Sequence, residues 1–309
     1  MHVSKWIPER PLYRRERLLV GYPVLAVFAL LFLSRLLGDL LLPNGALWYS
    51  LLCVSVTFLV PSLVFLLLRG SGYVRALRIR APRKAHLPFV IFAFFALLSG
   101  AMLLSALCGG TSSLGNSATA FEAAATGSFW RVLGNVLVLA VLPAFFEEFF
   151  FRGIVMFEYE RRGAVRAVLM SALLFALCHF DIRNLPVYFF SGALLALVLF
   201  ATDSLIATTI LHTVYNLTSL FGQRYLNALY GFTGSLELFI FLLMLIFLVS
   251  CFLLAHMGAR IYRRREEAHI NEPRRAVPWQ VQFYTILDAL ADPPILLAIV
   301  LSIVGFILL

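Results

Sequence analysis

The sequence contains few charged residues and few cysteines. Only 13% of its 309 residues are charged and 61% are hydrophobic, whereas a soluble domain has about 25% charged residues. This composition excludes a soluble globular domain and a disordered tail. The four cysteines, Cys53, Cys108, Cys178 and Cys251, lack metal-ligand spacing and predict no disulfide framework. We therefore predict a polytopic membrane protein.

The N-terminal apolar run lacks the features of a cleavable signal peptide. Leu18–Leu42 spans 25 residues, longer than the roughly 7–15 residues of a signal-peptide core. It also ends without a small-x-small cleavage site. We expect it to be retained as the first transmembrane helix.

Nine apolar stretches are candidate membrane-spanning helices, because a helix needs about 20 apolar residues to cross a bilayer. Five reach this length, three are shorter and central, and the last is marginal. In chain order they are Leu18–Leu42, Ala46–Leu68, Leu87–Cys108, Val132–Phe157, Val165–Phe180, Val187–Ala201, Leu205–Phe221, Leu238–Ala255 and Ile295–Leu309. The predicted fold is an all-α integral membrane bundle of eight to nine transmembrane helices, with the short helices at its centre.

The basic residues give this bundle an orientation. If the N-terminus is cytoplasmic, 20 of the 25 Lys and Arg residues fall on the cytoplasmic face. The positive-inside rule predicts this asymmetry, which explains the net charge of +9 without a nucleic-acid partner. Gly109–Phe129 and Gly222–Gly234 are then predicted as loops on the opposite face.

Ionisable residues inside the apolar runs are the candidates for function, because charge within a membrane is costly. Arg35 and Asp39 are four residues apart in the first helix and are predicted to neutralise each other. In the fourth helix Glu148 and Arg152 have the same spacing. Glu147 is turned about 100° from Glu148 and cannot share the arginine equally.

The next apolar segments add histidines and an amide. His179 ends one segment, and His212 and Asn216 lie one helical turn apart in another. A carboxylate near an imidazole can act as a general base, and neighbouring N–H donors can stabilise an oxyanion. Each group also has a structural interpretation, as a helix clasp, an interior histidine or an interhelical crosslink.

Three motifs together are similar to those of a known family. Glu147-Glu148-x-x-x-Arg152, Phe175-x-x-x-His179 and His212-x-x-x-Asn216 resemble the type II CAAX prenyl endopeptidases, a family that includes bacteriocin-processing and bacteriocin-immunity membrane proteins. The resemblance covers about Val132–Phe221, including the small residue Gly192. It implies a catalytic core over 132–221 with a central intramembrane cavity, which the predicted N-terminal helices over 1–131 and C-terminal helices over 222–309 flank.

The resemblance also implies roles for the site residues. Glu147 and His179 would activate water, His212 and Asn216 would form the oxyanion site, and Glu148 and Arg152 would support them. The implied activity is endoproteolysis of a membrane-associated or lipidated peptide or protein, with a prenylated substrate as one case. A bacterial cell membrane is the expected location.

Two alternatives to this function stay open. One is a metalloprotease in which His179, His212 and a glutamate hold zinc, although the sequence has no HExxH and the family implies no metal or other cofactor. The other is a non-catalytic transporter, scaffold or immunity protein that keeps the protease fold. The expected partners are a peptide or protein substrate and the lipid bilayer, and the oligomeric state is left open.

Overall fold

The computed structural model describes residues 19–41, 47–108, 128–160, 163–267 and 279–308, where all regular secondary structure is helical. Most of the predicted Gly109–Phe129 loop and the first 18 residues lie outside these ranges, as does the side chain of Asp39. The helices are α1 Gly21–Leu41, α2 Leu47–Arg69, α3 Ser71–Ala76, α4 Leu87–Leu107, α5 Phe129–Glu160, α6 Ala164–Leu177, α7 Leu185–Thr202, α8 Leu205–Phe221, α9 Gln223–Thr233, α10 Leu236–Glu267, α11 Trp279–Leu290 and α12 Pro293–Leu308.

Four of these helices are long and apolar enough to cross a membrane. They are α4 with its preceding turn, α5, α7 and α10. Helices α11 and α12 are bent by 70° at a short break and together would make a fifth crossing. Helices α1, α2, α6 and α8 provide shorter apolar segments. The described part of the chain is thus a multi-pass helical membrane protein with four to five candidate spans.

Helix α5 is longer than the predicted segment and is interrupted twice. It has 32 residues, or about 48 Å at 1.5 Å per residue, and so extends past a hydrocarbon core of about 30 Å. Leu137–Val141 and Phe149–Val155 are π-helical. Pro143 gives a reason for the first interruption, because it has no N–H to continue the α-helical ladder.

Neighbouring helices use the backbone carbonyls of both π segments. Ser171 of α6 donates its hydroxyl to the Phe151 carbonyl at 3.1 Å, and the Tyr73 hydroxyl reaches the Ile154 carbonyl at 3.4 Å. In the first segment the carbonyl of Ala140 accepts from Asn216 of α8 at 3.3 Å. These bonds lock α5 to α3, α6 and α8, since π segments leave carbonyls available to side chains.

Two sequence expectations require correction. Gly222–Gly234 was predicted to be a loop but contains helix α9, whose aromatic side chains Tyr225, Tyr230 and Phe232 are exposed. The helix expected over Val165–Phe180 ends at Leu177, so His179 lies in the following turn. Phe180 in this turn has a positive φ of 51°, a value that ends a helix.

Helices α6, α7 and α8 form the centre around α5. Gly192 allows α7 to approach α6 closely, because a Cβ at this position would lie 2.9 Å from the Cα of Ala172. The core on one side of α7 includes Phe150, Phe151 and Leu174, all fully buried. A second cluster around Leu97, Leu195 and Leu211 packs α4 against α7 and α8. This packing places the motif-bearing helices side by side.

An arginine clasp joins the ends of α5, α7 and α8. The clasp consists of Arg78, Arg80, Glu160 and Asp203. Arg78 binds both carboxylate oxygens of Glu160, at 2.8 and 2.7 Å, and its Nε lies 2.8 Å from Asp203 Oδ1. Arg80 forms an ion pair with Asp203 and donates to its carbonyl at 2.7 Å.

The backbone completes this connection. Leu205 N–H, the first of α8, donates to the Arg78 carbonyl at 2.8 Å. The hydroxyl of Ser204 donates to the Arg80 carbonyl and accepts from Ala207 N–H, so it caps α8 at the same time. The 77–80 segment therefore fixes where α8 begins relative to the end of α5.

Candidate active site

Glu148 and Arg152 form a fully buried ion pair on α5. Arg152 Nη1 lies 2.9 Å from Glu148 Oε1, as their four-residue spacing predicts. Arg152 Nη2 also donates to the Gly192 carbonyl at 3.0 Å, and the guanidinium lies 4.4 Å from the centre of the Phe175 ring. The pair thus joins α5 to α6 and α7, and its opposite charges lower the cost of burial.

His212 lies between the two glutamates of α5. Its Nδ1 is 2.9 Å from Glu148 Oε1, which is hydrogen-bond distance, and its Nε2 is 3.9 Å from Glu147 Oε2. A carboxylate accepts hydrogen bonds, so Nδ1 carries a proton in this arrangement. The imidazole therefore links the Glu148–Arg152 pair to Glu147, which Arg152 does not contact directly.

Glu148 and Arg152 carry opposite charges and compensate each other within this buried group. Glu147 and His212 are the remaining ionisable side chains, and they lie next to each other at 3.9 Å. Because isolated charges are expensive in a membrane interior, this adjacency marks the group as a candidate site for proton transfer.

His179 is held by a backbone bond and an aromatic ring. Its Nδ1 is 2.7 Å from the Phe175 carbonyl. A carbonyl can only accept, so Nδ1 bears the proton and Nε2 of the neutral ring carries a lone pair. Tyr188 of α7 stacks on the imidazole, with centroids 3.9 Å apart and planes 16° apart.

The ring of Phe175 lies at the centre of these groups. It makes edge contacts with His179, at 4.9 Å between centroids, and with His212, at 5.8 Å. Its face also carries the Arg152 guanidinium. The first residue of the Phe175-x-x-x-His179 motif thus spaces the two imidazoles and supplies the carbonyl that orients one of them.

Glu147 and His179 lie at similar distances along their helices from the connection between α5 and α6. Glu147 is 13 residues before the end of α5 at Glu160, and His179 is 15 residues after the start of α6 at Ala164. The two helices are consecutive, so each residue is about 20 Å from their connection. In the predicted segments Glu147 is 10 residues from the end of Val132–Phe157 and His179 is 14 residues from the start of Val165–Phe180, so the longer α5 makes the two distances more alike.

A cavity of about 170 Å³ lies beside this group, between α4, α6, α7 and α8. His179, His212 and Asn216 contribute to its wall. The remaining lining residues are apolar or hydroxyl-bearing: Leu97, Phe175, Val187, Tyr188, Ser191, Leu195, Tyr215 and Ser219. Glu147 does not line the cavity. It lies 3.9 Å from Nε2 of His212, which does line it. Polar groups therefore converge on one side of a mainly apolar space, as in many binding sites.

Sequence reasoning missed several residues of this cavity. Tyr188, Ser191, Tyr215 and Ser219 are ordinary helix residues in the sequence, and none belongs to a motif. His212, Tyr215, Asn216 and Ser219 follow a spacing of three, four and seven residues, which places them on one face of α8. That spacing is a usable signal, whereas nothing in the sequence indicates that Tyr188 stacks on His179.

The described residues contain no group of three or more His, Cys, Asp or Glu side chains placed to hold a metal ion. Glu148 Oε1 contacts both Arg152 and His212, and His179 Nδ1 faces a carbonyl. The Nδ1 atoms of both histidines thus face oxygen acceptors, so Nε2 is the ring nitrogen through which either histidine would meet a ligand.

The fold and site define a class of protein: a multi-pass helical membrane protein with a buried glutamate, arginine and histidine group beside a cavity. Comparison with known families is more specific. Residues 128–218 match the family model described as Type II CAAX prenyl endopeptidase Rce1-like, in agreement with the motif resemblance. This match covers under a third of the chain and includes every candidate site residue. Comparisons with curated proteins and with solved structures gave no significant match.

Proposed function

We propose that this protein is an intramembrane endopeptidase that hydrolyses a peptide bond in a membrane-associated or lipidated peptide or protein. The family match over residues 128–218 supports membrane endopeptidase activity in general. The observation that carries the specific proposal is the linkage of Glu147, His212, Glu148 and Arg152 next to a cavity that His179 also lines.

In the proposed mechanism, Glu147 and His179 activate a water molecule. The water oxygen attacks the scissile carbonyl carbon, and its proton passes to this acid–base pair. Collapse of the tetrahedral intermediate breaks the C–N bond, and the leaving amine takes up the proton. The lone pair on His179 Nε2 and the Glu147 carboxylate are the groups that would accept this proton and return it.

His212 and Asn216 are proposed to stabilise the oxyanion. When His212 is protonated, its Nε2–H is a charged donor, and Glu148 holds the ring through Nδ1. The Asn216 amide has a second N–H besides the one directed to Ala140, and this N–H is available for the oxyanion. Donors fixed before the reaction stabilise developing charge at little reorganisation cost.

The membrane arrangement is part of the same proposal. Helices α1, α2, α6 and α8 would cross with the four longer helices, giving eight crossings, and the α11–α12 pair would give a ninth. The N-terminus and the arginine clasp would be cytoplasmic, in a bacterial cell membrane. An impermeant maleimide applied to intact and opened vesicles tests this topology with the variants Arg83→Cys and Arg183→Cys. The two cysteines should be labelled from opposite sides of the membrane, and labelling of both from one side contradicts the topology.

A direct test uses purified protein in proteoliposomes. The probes are a quenched fluorescent peptide ending in a farnesylated CAAX sequence and the same peptide without the lipid. A comparison of the newly formed protein termini in membranes with and without the protein extends the search beyond CAAX sequences. Cleavage that depends on Glu147 supports the peptidase. Absence of any Glu147-dependent product in both assays favours the non-catalytic immunity or binding role.

A further inference from the structure

The imidazole of His179 is contacted at Nδ1 by the Phe175 carbonyl and by Cys178 Sγ, at its edge by the Phe175 ring, and on its face by Tyr188. The bond from Nδ1 to the Phe175 carbonyl orients one nitrogen, but rotation of the side chain would break this single bond and release the constraint on the tautomer. The stacked Tyr188 ring, with its plane only 16° from that of the imidazole, restricts this rotation. Nε2, at the opposite side of the ring from the bond, gains a defined direction only when both contacts are present.

The position of Tyr188 is itself fixed by the turn before α7. Asp181 accepts hydrogen bonds from the backbone N–H groups of Arg183 and Asn184 and from the Asn184 side chain. The Asn184 carbonyl then accepts from Tyr188 N–H at 3.0 Å. This short capped turn connects His179 to Tyr188, so the two rings meet through local structure.

We propose that Tyr188 is a positioning residue for His179, which holds the imidazole in its Nδ1–H tautomer with Nε2 available at the cavity. This inference rests on the proposed function for its catalytic consequence. The stack itself is a structural claim and can be tested without activity. The aromatic face is the essential feature, so phenylalanine should replace tyrosine here, whereas an aliphatic side chain should not.

The kinetic test compares Tyr188→Leu, Tyr188→Phe and the control Tyr284→Leu, which removes an exposed tyrosine on α11. The substrate is the farnesylated peptide in proteoliposomes. Tyr188→Leu should lower kcat by about 10- to 100-fold with little change in KM, since misorientation of a reacting group has effects of this size. Tyr188→Phe should retain kcat within about threefold, because the stacked ring persists.

The structural test reads the tautomer directly. Protein labelled with ring-¹⁵N histidine in detergent gives separate signals for the two nitrogens, and His179→Gln identifies those of His179. Wild type and Tyr188→Phe should show the Nδ1–H tautomer, whereas Tyr188→Leu should show a mixture. If Tyr188→Leu does not fold, Tyr188→Met provides an unbranched non-aromatic replacement.

The two measurements separate the possible failures. An unchanged His179 tautomer in the folded non-aromatic variant overturns the positioning role. An inactive wild type with the expected tautomer change overturns the proposed function and leaves the positioning role intact. A drop in thermal stability of Tyr188→Leu with both kcat and the tautomer unchanged identifies a packing residue and also overturns the inference.

Discussion

Nδ1 of His212 lies 2.9 Å from Oε1 of Glu148, and this bond joins residues 64 positions apart. It gives Glu148 two partners, since the same oxygen contacts Arg152. Glu147, the neighbouring carboxylate, lies on the far side of the imidazole at 3.9 Å. The two adjacent glutamates are therefore distinguished by their contacts: Glu148 is bound within a buried pair, while Glu147 faces a titratable ring.

Replacement of Glu147 should separate activity from folding. Glu147→Gln keeps the size of the side chain but removes its proton affinity, so we expect cleavage to fall by at least about 10²-fold, the lower range for acid–base catalysis. Expression and size-exclusion profile should remain normal. The matched control is Glu237→Gln, an exposed position on α10. Full activity in Glu147→Gln contradicts the glutamate mechanism.

Removal of Arg152 should affect folding more than any other change in the site. Arg152→Met leaves the Glu148 charge buried without its cation, a situation that costs about 3–5 kcal/mol in proteins. We expect low folded yield and a reduced melting temperature in detergent. The double variant Glu148→Gln/Arg152→Met should recover part of the yield. Equal stability of Arg152→Met and wild type, with activity lost, would place Arg152 in the catalytic group instead.

Asn216 should contribute to turnover more than to binding. Asn216→Ala removes an amide donor, and loss of one oxyanion donor typically costs about 10²–10³-fold in kcat. KM for the farnesylated peptide should change little. Thr209→Ala serves as a control, because this hydroxyl donates to the Leu205 carbonyl of its own helix. A similar loss in both variants would indicate general damage to α8.

Metal removal should leave activity unchanged. The proposed water activation uses Glu147 and His179, so dialysis against EDTA or 1,10-phenanthroline should not reduce cleavage. Elemental analysis of the purified protein should show zinc well below one atom per chain. Loss of activity on chelation, with recovery on addition of zinc, would instead support His179, His212 and a glutamate as metal ligands.

The arginine clasp should stabilise the fold through specific partners. Arg78→Ala removes its hydrogen bonds to Glu160 and Asp203, and bonds to charged groups contribute about 1.5–3 kcal/mol each when made well. Partial exposure of this arginine reduces the net effect, so we expect a loss of about 1–2 kcal/mol in unfolding free energy. Thermal unfolding of Arg83→Ala, an exposed neighbour, provides the comparison. Equal melting temperatures would show that the clasp contributes nothing.

The sequence predicts local features of the site better than those that depend on tertiary contact. The Glu148–Arg152 pair follows from helical spacing, and the side-by-side placement of His212 and Asn216 on one helix face follows from the same rule. The bond between His212 and Glu148 does not, because spacing within α5 and α8 says nothing about how the two helices pack. The motif resemblance supplied the expectation that these helices meet.

Helix boundaries and irregularities were the least predictable features. Apolar composition alone cannot show that α5 continues to Glu160 or that Phe149–Val155 is π-helical, since this segment's carbonyls are bonded by side chains of other helices. In the sequence, Thr202–Ser204 only separates the apolar stretches Val187–Ala201 and Leu205–Phe221. Its role in binding Arg78 and Arg80 required the fold, because 123 residues separate Arg80 from Asp203.

The arginine clasp and the Arg69–Glu158 ion pair also limit how far residues 128–218 can be treated as an independent module. Residues 128–218 match the family model, yet the cationic partners of Glu158, Glu160 and Asp203 are Arg69, Arg78 and Arg80, all upstream of that range. A chimera that transplants only the matched segment would separate these three carboxylates from Arg69, Arg78 and Arg80. Exchange of the matched segment between relatives should therefore preserve function only when residues 69–80 are exchanged with it.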